Sequence, residues 1–218
     1  MSAVLDETVL CRSVPPEAMD RLWEAGWRHF GIHFFRYNLL GLDPANVLTI
    51  TPLRLDLNQF APTKSQRRVL RRNADLRCEF VPATLSMEAR QMFQRHKTRF
   101  KESVPEDLGN FLSASPATVP CPCQECRVFL GDELIAISYL DIGQTSTSAL
   151  YGIFEPAHSR RSLGTFTMLK EIEHSRSLGR RYYYPGYATH EPSAYDYKKQ
   201  LQGLEVLSWQ LGAWVPLA

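Results

Sequence analysis

Arg160-Arg161-Ser162-Leu163-Gly164-Thr165 is the run of residues best suited to holding an anion. It stands between an expected strand and an amphipathic helix, and the backbone amides and positive dipole end of a helix N-terminus attract phosphate. An ordinary capped helix start, with Gly164 for tight packing, is the competing reading. A second basic element is Pro62-Thr63-Lys64-Ser65-Gln66-Arg67-Arg68-Val69-Leu70-Arg71-Arg72-Asn73. Here Thr63 or Ser65 can cap a short helix, and Lys64, Arg67, Arg68, Arg71 and Arg72 place charge on more than one of its sides. That geometry suits the phosphates of a nucleic-acid backbone better than one carboxylate, although a charge run can also be a solvated face. Tyr182-Tyr183-Tyr184-Pro185-Gly186-Tyr187 contains Pro-Gly in mid-strand, which marks a bulge where strands splay and pockets form. Tyr184 and Tyr187 could line such a pocket, or the run could be core filling. Cys121, Cys123 and Cys126 could ligate zinc with Cys78 or a histidine, but Cys-x-Cys-x-x-Cys lacks the paired spacing of dependable zinc modules, so no metal is expected. His29, His33, His96, His158, His174 and His190 form no ligand-spaced pair, and each reads as a packed histidine.

These residues need elements to place them. Pro16 to Ala25 reads as a short amphipathic helix with Met19, Leu22 and Trp23 inward and Gly26 as its stop. Trp27 to Tyr37 and Val47 to Leu57 read as an antiparallel strand pair, turned by Gly41, Asp43, Pro44 and Asn46. The basic helix follows, then a strand at Cys78 to Val81. A helix at Ser86 to Phe100 is expected to turn Met87, Met92 and Phe93 inward, and a helical piece covers Pro105 to Leu112. Ser113 to Cys126 reads as a loop because Ser, Pro and Thr dominate it. Hairpin strands flank Gly131-Asp132, and Ala149 to Phe154 follows a polar turn. The helix at Thr165 to Leu178 ends at Gly179 and puts Phe166, Leu169 and Ile172 on its buried stripe, with Lys170, Glu171 and Glu173 facing out. Tyr182 to Tyr187, Leu204 to Trp209 and Ala213 to Val215 are further strands.

Composition narrows the class. The chain has 218 residues, 44% hydrophobic and 22% charged, which is enough for one substantial core and too apolar for disorder. No stretch reaches the ~18 apolar residues of a membrane span, and the first residues lack the basic-then-apolar layout of a signal peptide, so a cytoplasmic protein without a membrane partner is expected. A net charge of +2 is too small to indicate nucleic-acid binding by itself; the argument rests on where the basic residues cluster. Five cysteines, three of them bunched, do not make a secreted disulfide framework.

Several motifs in one order resemble the bacterial branch of the arginyl-tRNA:protein transferase family, the N-end-rule enzymes that move leucine or arginine. Gly26-Trp27-Arg28-His29-Phe30-Gly31 is similar to the family's Gly-Phe/Trp-Arg-Arg-Ser-Gly. Pro52-Leu53-Arg54, Phe60 through Val69 and Arg71-Arg72-Asn73 are similar to its Pro-Leu/Ile-Arg, Phe-x-Pro-Ser-Lys/Arg-Ser-Gln-Arg/Lys-Arg and Arg-Asn blocks. Ser162 through Phe166 with Glu171-Ile172-Glu173, Tyr184 with Gly186-Tyr187, and Tyr197-Lys198 with Leu204 through Leu207 are similar to its C-terminal motifs. The resemblance spans nearly the whole chain. It implies an α+β fold, an acetyltransferase-like (GNAT) mixed sheet flanked by helices with a smaller N-terminal α/β portion. It also implies a division into an N-terminal region, 1–112, carrying the basic helix, and a catalytic domain, 113–218. Two departures stand out. The family's Cys-x-x-Leu/Tyr-Pro survives only as Cys11 of Cys11-Arg12-Ser13-Val14-Pro15, and its Cys-x-x-Cys is missing from Asn38 to Val47, so the usual metal site is lost. Pro185-Gly186-Tyr187-Ala188-Thr189 stands where the family has Gly-Tyr-Trp/Phe-Ile.

What the resemblance implies for chemistry follows from the substrate. An aminoacyl ester is already activated, so an enzyme must hold it against the acceptor's α-amine, take a proton from that amine and stabilise the oxyanion, without a cofactor. Asp141 or Glu155 is the expected contact for the amine or its proton, with Tyr184, Tyr187 and Lys198 orienting the substrates. Lys64, Arg67, Arg68, Arg71 and Arg72 with Arg161, Ser162, Leu163, Gly164 and Thr165 are the expected tRNA contacts, and Tyr151 and Phe154 could stack on the terminal adenine. The partners are then aminoacyl-tRNA and the N-terminus of a protein or peptide. The alternatives are an acyl-CoA-dependent N-acetyltransferase, since the Arg161 loop also resembles the Arg-x-x-Gly-x-Gly/Ala pyrophosphate loop except for Phe166, and a non-catalytic binding module.

Overall fold

The computed structural model describes residues 4–43, 46–100, 104–193 and 196–217. Three short strands, β1 (Asp6–Leu10), β2 (Arg28–Phe30) and β3 (His33–Tyr37), form a small antiparallel sheet in the order β1-β3-β2. Helix α1 (Pro16–Glu24) joins β1 to β2 and buries Met19 and Trp23. Its proline lies in the first turn, where a missing N–H costs nothing.

Gly26 ends the first helix with φ of +83°. A Cβ there would lie 2.8 Å from both Leu207 Cδ2 and Trp209 Cη2. Gly26→Ala therefore meets a backbone conformation that L-residues avoid by ~1–2 kcal/mol and a steric clash as well. A drop of at least ~2 kcal/mol in unfolding free energy is expected, read as a lower urea midpoint at unchanged m-value.

The remaining strands are β4 (Leu39–Asp43), β5 (Asn46–Asp56), β6 (Arg77–Pro82), β7 (Cys123–Leu130), β8 (Glu133–Ile142), β9 (Ser146–Phe154), β10 (Tyr182–Thr189), β11 (Leu204–Ser208) and β12 (Ala213–Pro216). They form one nine-stranded sheet in the order β12-β11-β5-β10-β9-β8-β7-β6, with β4 paired to β5. Every residue of β8 from Leu134 to Asp141 is buried, as expected of a strand covered on both faces. On one face α3 (Met87–His96) brings Ala89, Met92 and Phe93 against Phe129, Ile137 and Tyr139. On the other, α4 (Leu163–Ser177) brings Phe166 against Val128 and Ala136, and Met168 and Ile172 against Leu140 and Tyr183. Helix α2 (Lys64–Arg72) opens with a capping box in which Thr63 and Gln66 satisfy each other's backbone amides. The fold is thus a mixed α+β one, a large mixed sheet flanked by helices. No helix among the described residues is long and apolar enough to cross a membrane.

Several local expectations are corrected. Residues 47–57 do not pair with 27–37. β2 and β3 belong to the small sheet, whereas β5 lies between β11 and β10, because alternation marks a strand without naming its partner. The expected turn over Gly41 to Asn46 lies partly outside the described residues, at 44–45. The loop drawn to Cys126 ends earlier, since β7 begins at Cys123 and pairs with β6 and β8. Met87 is exposed at the first turn of α3, and the inward stripe is Ala89, Met92, Phe93 and His96.

Candidate active site

Strand β9, helix α4 and strand β10 form a crossover whose two strands run parallel. They pair only over Ser146 to Ser148 and Tyr182 to Tyr184. Beyond that point β10 bulges: its register with β5 shifts between Tyr183 and Gly186, around a proline that has no N–H to give. β9 stays with β8, so the two strands separate and open a gap in the middle of the sheet. Arg28, reaching across from β2, fills its inner end, donating from Nη1 to Ser148 Oγ and from Nη2 to the Ala149 carbonyl.

The gap continues into a cavity of ≈ 480 Å³. At one end is the N-terminus of α4. Ser162 takes a left-handed conformation, φ 58°, and its side chain caps nothing. The first-turn residues Leu163, Gly164 and Thr165 line the cavity. At the other end Glu171, Tyr183, Ser138 and Lys198 meet. The Tyr183 hydroxyl donates to Glu171 Oε2 at 2.6 Å. Gly186 leaves the room this end needs, since a Cβ there would lie 3.3 Å from Lys198 Nζ. Tyr151, stacked on Phe111 at 3.8 Å between ring centres, and Phe154 form part of the wall.

Burial dominates the electrostatics here. Glu171 is 3% exposed, and desolvation raises its pKa to about 7, offset by the Ser138 and Tyr183 hydroxyls and by the charges of Lys198 and Arg28. Lys198 lies deep but is reached by solvent through the cavity. Desolvation and then Arg28 lower its pKa to about 8, against the opposing pull of Glu171. Both groups therefore change charge close to neutral pH. His96, also on the wall, is pushed down to about 4 by burial and is neutral.

The cavity brings together Lys198, Ser162, Leu163, Gly164, Thr165, Tyr151 and Phe154 from the sequence reading. It does not bring in four others. Asp141 faces the opposite side of β8 from Ser138, buried with its Oδ2 2.8 Å from His29 Nε2. Glu155 sits beside the wall with both carboxylate oxygens held by Arg95, at 2.7 to 3.1 Å. The Tyr184 ring packs near Trp23 and Trp214. The Tyr187 hydroxyl donates to the Gly26 carbonyl at 2.6 Å.

Lys64, Arg67, Arg68, Arg71 and Arg72 are all exposed on α2. The C-terminal end of that helix is tied to the loop before α4. Arg72 Nη1 donates to the Arg160 carbonyl at 2.7 Å, Asn73 Nδ2 to the Arg161 carbonyl at 2.9 Å, and Arg161 pairs with both Asp75 oxygens at 2.9 Å. The basic helix is thus tied to the loop whose Ser159 and Ser162 line the cavity.

Four residues were missed as site residues: Arg28, Ser138, Glu171 and Tyr183. Glu171, read as facing out, is buried, because Thr167, Glu171 and Ser175 form a second, polar stripe at four-residue spacing under the sheet. That stripe is legible in the sequence once polar residues are allowed to be buried.

The residues 86–208 match a family model described as the arginine-tRNA-protein transferase C terminus. An aspartate/glutamate leucyltransferase of Marinobacter nauticus is 32% identical over 194 residues, 86% of this chain and 78% of that protein. Proteins of the same description from Thiobacillus denitrificans and Gluconacetobacter diazotrophicus are each 33% identical, the chain spanning 80% of the first and 64% of the second. They cover 88% and 76% of this chain. Among solved structures, FemX superposes with a TM-score of 0.54 at 11% identity, over 93% of this chain and 69% of FemX, a likeness of fold alone. The chain belongs to the arginine-tRNA-protein transferase family and is an aminoacyltransferase of the tRNA-dependent class.

Proposed function

We propose that this enzyme transfers leucine from charged tRNA to the α-amine of a protein or peptide whose first residue is acidic, on a sheet of acetyltransferase-like type. The observation that carries the choice of leucine is the charge of the cavity. Its charged lining residues are Arg99, Lys198 and Glu171, and the one carboxylate is already engaged by Tyr183 beside two cations. An arginine side chain would find no available counter-charge there, whereas Leu150, Phe154, Leu163 and Met168 offer apolar contact. The same cationic surplus, from Arg28 and Lys198 at Gly186, favours an acceptor with a carboxylate, in keeping with what the leucyltransferase relatives are named for.

In this reading residues 1–112 supply the basic helix together with Arg28 and part of the cavity wall, His96 and Arg99, and 113–218 supply the rest of the reaction cavity. The tRNA backbone lies along α2, its terminal phosphates meet the amides of Leu163, Gly164 and Thr165, and its adenine stacks on Tyr151 and Phe154. The acceptor amine attacks the ester carbonyl, Glu171 takes the amine proton, and Lys198 faces the oxyanion. Collapse breaks the ester bond, and the departing ribose hydroxyl takes the proton back from Glu171. Of the residues that the sequence suggests for these steps, Lys198 keeps a direct part. Asp141, Glu155, Tyr184 and Tyr187 act as framework around the cavity.

The test is single-turnover transfer from leucyl- and arginyl-tRNA to peptides beginning with Asp, Glu, Ala or Lys, with an Arg68→Glu/Arg72→Glu variant alongside. Leucine in the Asp and Glu peptides is expected. The variant is expected to bind tRNA more weakly and to lower the slope of log Kd against log salt by about 1 for each phosphate that it no longer neutralises. Transfer of arginine instead would overturn the choice of donor, and transfer to all four peptides alike the choice of acceptor.

A further inference from the structure

One buried group of side chains has no part in that reaction. On the side of β8 away from the cavity, His29, Cys121 and Asp141 are each at most 2% exposed. One His nitrogen, the Cys sulfur and one carboxylate oxygen all lie within 4.8 Å of one another. Cys123, 4% exposed, is the register partner of Asp141 across β7 and β8, and its thiol neighbours the same carboxylate.

The hydrogen bonding of this group is incomplete. His29 Nδ1 lies 2.9 Å from the Gly31 carbonyl, which can only accept, so Nδ1 carries the proton. Nε2 lies 2.8 Å from Asp141 Oδ2, so that either a second proton or a cation stands between the two. Asp141 Oδ1 is fully buried and receives no N–H or O–H from the described residues; the donors beside the carboxylate are the weak ones, the Cys121 and Cys123 thiols. A buried carboxylate oxygen left in this way destabilises the fold. A histidine fixed by a backbone carbonyl, two thiols and a carboxylate with an unserved oxygen are the pieces of a closed cation site.

We propose that His29, Cys121 and Asp141 hold one divalent cation of zinc type, with the adjoining Cys123 thiol turning in as the fourth donor. The donors, one nitrogen, two sulfurs and one oxygen, suit a borderline-soft ion, and their burial suits a structural site rather than one open to substrate. None is a cysteine of the family motifs; Cys11, the one such residue present, is outside the group. The cation would join β2 to the segment entering β7 and to β8, locking the small sheet onto the large one. Because His29 follows Arg28, it would also hold the strand that sends Arg28 into the gap of the sheet.

The experiment is metal analysis of untagged enzyme, as purified and after incubation with Zn²⁺ or Co²⁺ followed by desalting. About one equivalent per chain is expected, with a thiolate-to-cobalt charge-transfer band in the Co²⁺ form and a melting temperature lowered by a chelator. Asp141→Asn and Cys121→Ser should lose the band, and Cys11→Ser should keep it. Should the first two fail to fold, the wild-type spectrum decides. No tightly held metal and no thiolate band in wild type, or a band lost in Cys11→Ser, would overturn the site. These readouts involve no tRNA, so they stand or fall apart from the proposed transfer reaction.

Discussion

Glu171→Gln is expected to lower the single-turnover rate of transfer by 10²- to 10⁴-fold, on the order of a lost general base, while leaving tRNA binding within about twofold. Glutamine keeps the shape of the side chain and can still meet the Tyr183 hydroxyl, so packing under the sheet survives; what disappears is the proposed acceptor of the amine proton. Wild-type enzyme should show the signature of that group in its pH profile. With Glu171 titrating at about 7 and Lys198 at about 8, kcat/KM should rise as Glu171 ionises and fall as Lys198 loses its charge, a narrow bell. In Glu171→Gln the acid limb should vanish from whatever activity remains.

Stability separates this outcome from simple unfolding. The folded pKa of Glu171 is raised from 4.5 to about 7, so between those values the unfolded chain has released a proton that the folded one keeps. Stability therefore declines as pH rises through that window, and the carboxylate is a burden on the fold at neutral pH. Glu171→Gln should unfold at the same urea concentration as wild type, or a higher one, when both are measured at pH 8. A variant that lost stability along with activity would assign Glu171 to packing instead.

How much of this was legible in the sequence depends on what kind of pattern each feature leaves. The turn at Gly131-Asp132, a cap of α2 at Thr63 or Ser65, and the Gly179 stop of α4 are local and show plainly, and the structure puts the cap on Thr63. Lys198 and the segment from Ser162 to Thr165, which the fold brings to one cavity, stand in the motifs that carried the resemblance. Strand partners are not local, and nothing in residues 47–57 says that they pair with residues 182–189 and 204–206. On β10, period two makes Tyr182 and Tyr184 share one face and Tyr183 the other, but only the separation of β9 from β10 says which face is the site. Glu171 was hidden by the assumption that a helical carboxylate faces water. Arg28 was quoted within a motif, yet its task of serving β9 where β10 has left becomes visible only in three dimensions.

Lys198→Met is expected to cost 10²- to 10³-fold in kcat, the size of a lost oxyanion donor, with little change in KM for tRNA, because in the proposed reading α2 and not Lys198 holds the nucleic acid. The methionine stem fills similar space, so the loss would be that of the charge. Removing the ammonium also removes a stabiliser of the Glu171 carboxylate, and the acid limb of the pH profile should move upward. Lys198→Arg makes the complementary case. A guanidinium stays charged throughout the range, so the basic limb should disappear, but its larger planar group must fit where a lysine nitrogen already lies 3.3 Å from the position of a Cβ on Gly186. Partial activity with a flat alkaline profile is the expected result. Full activity in Lys198→Met would show that the oxyanion is held elsewhere, and would leave the amides at the N-terminus of α4 as the group to test next.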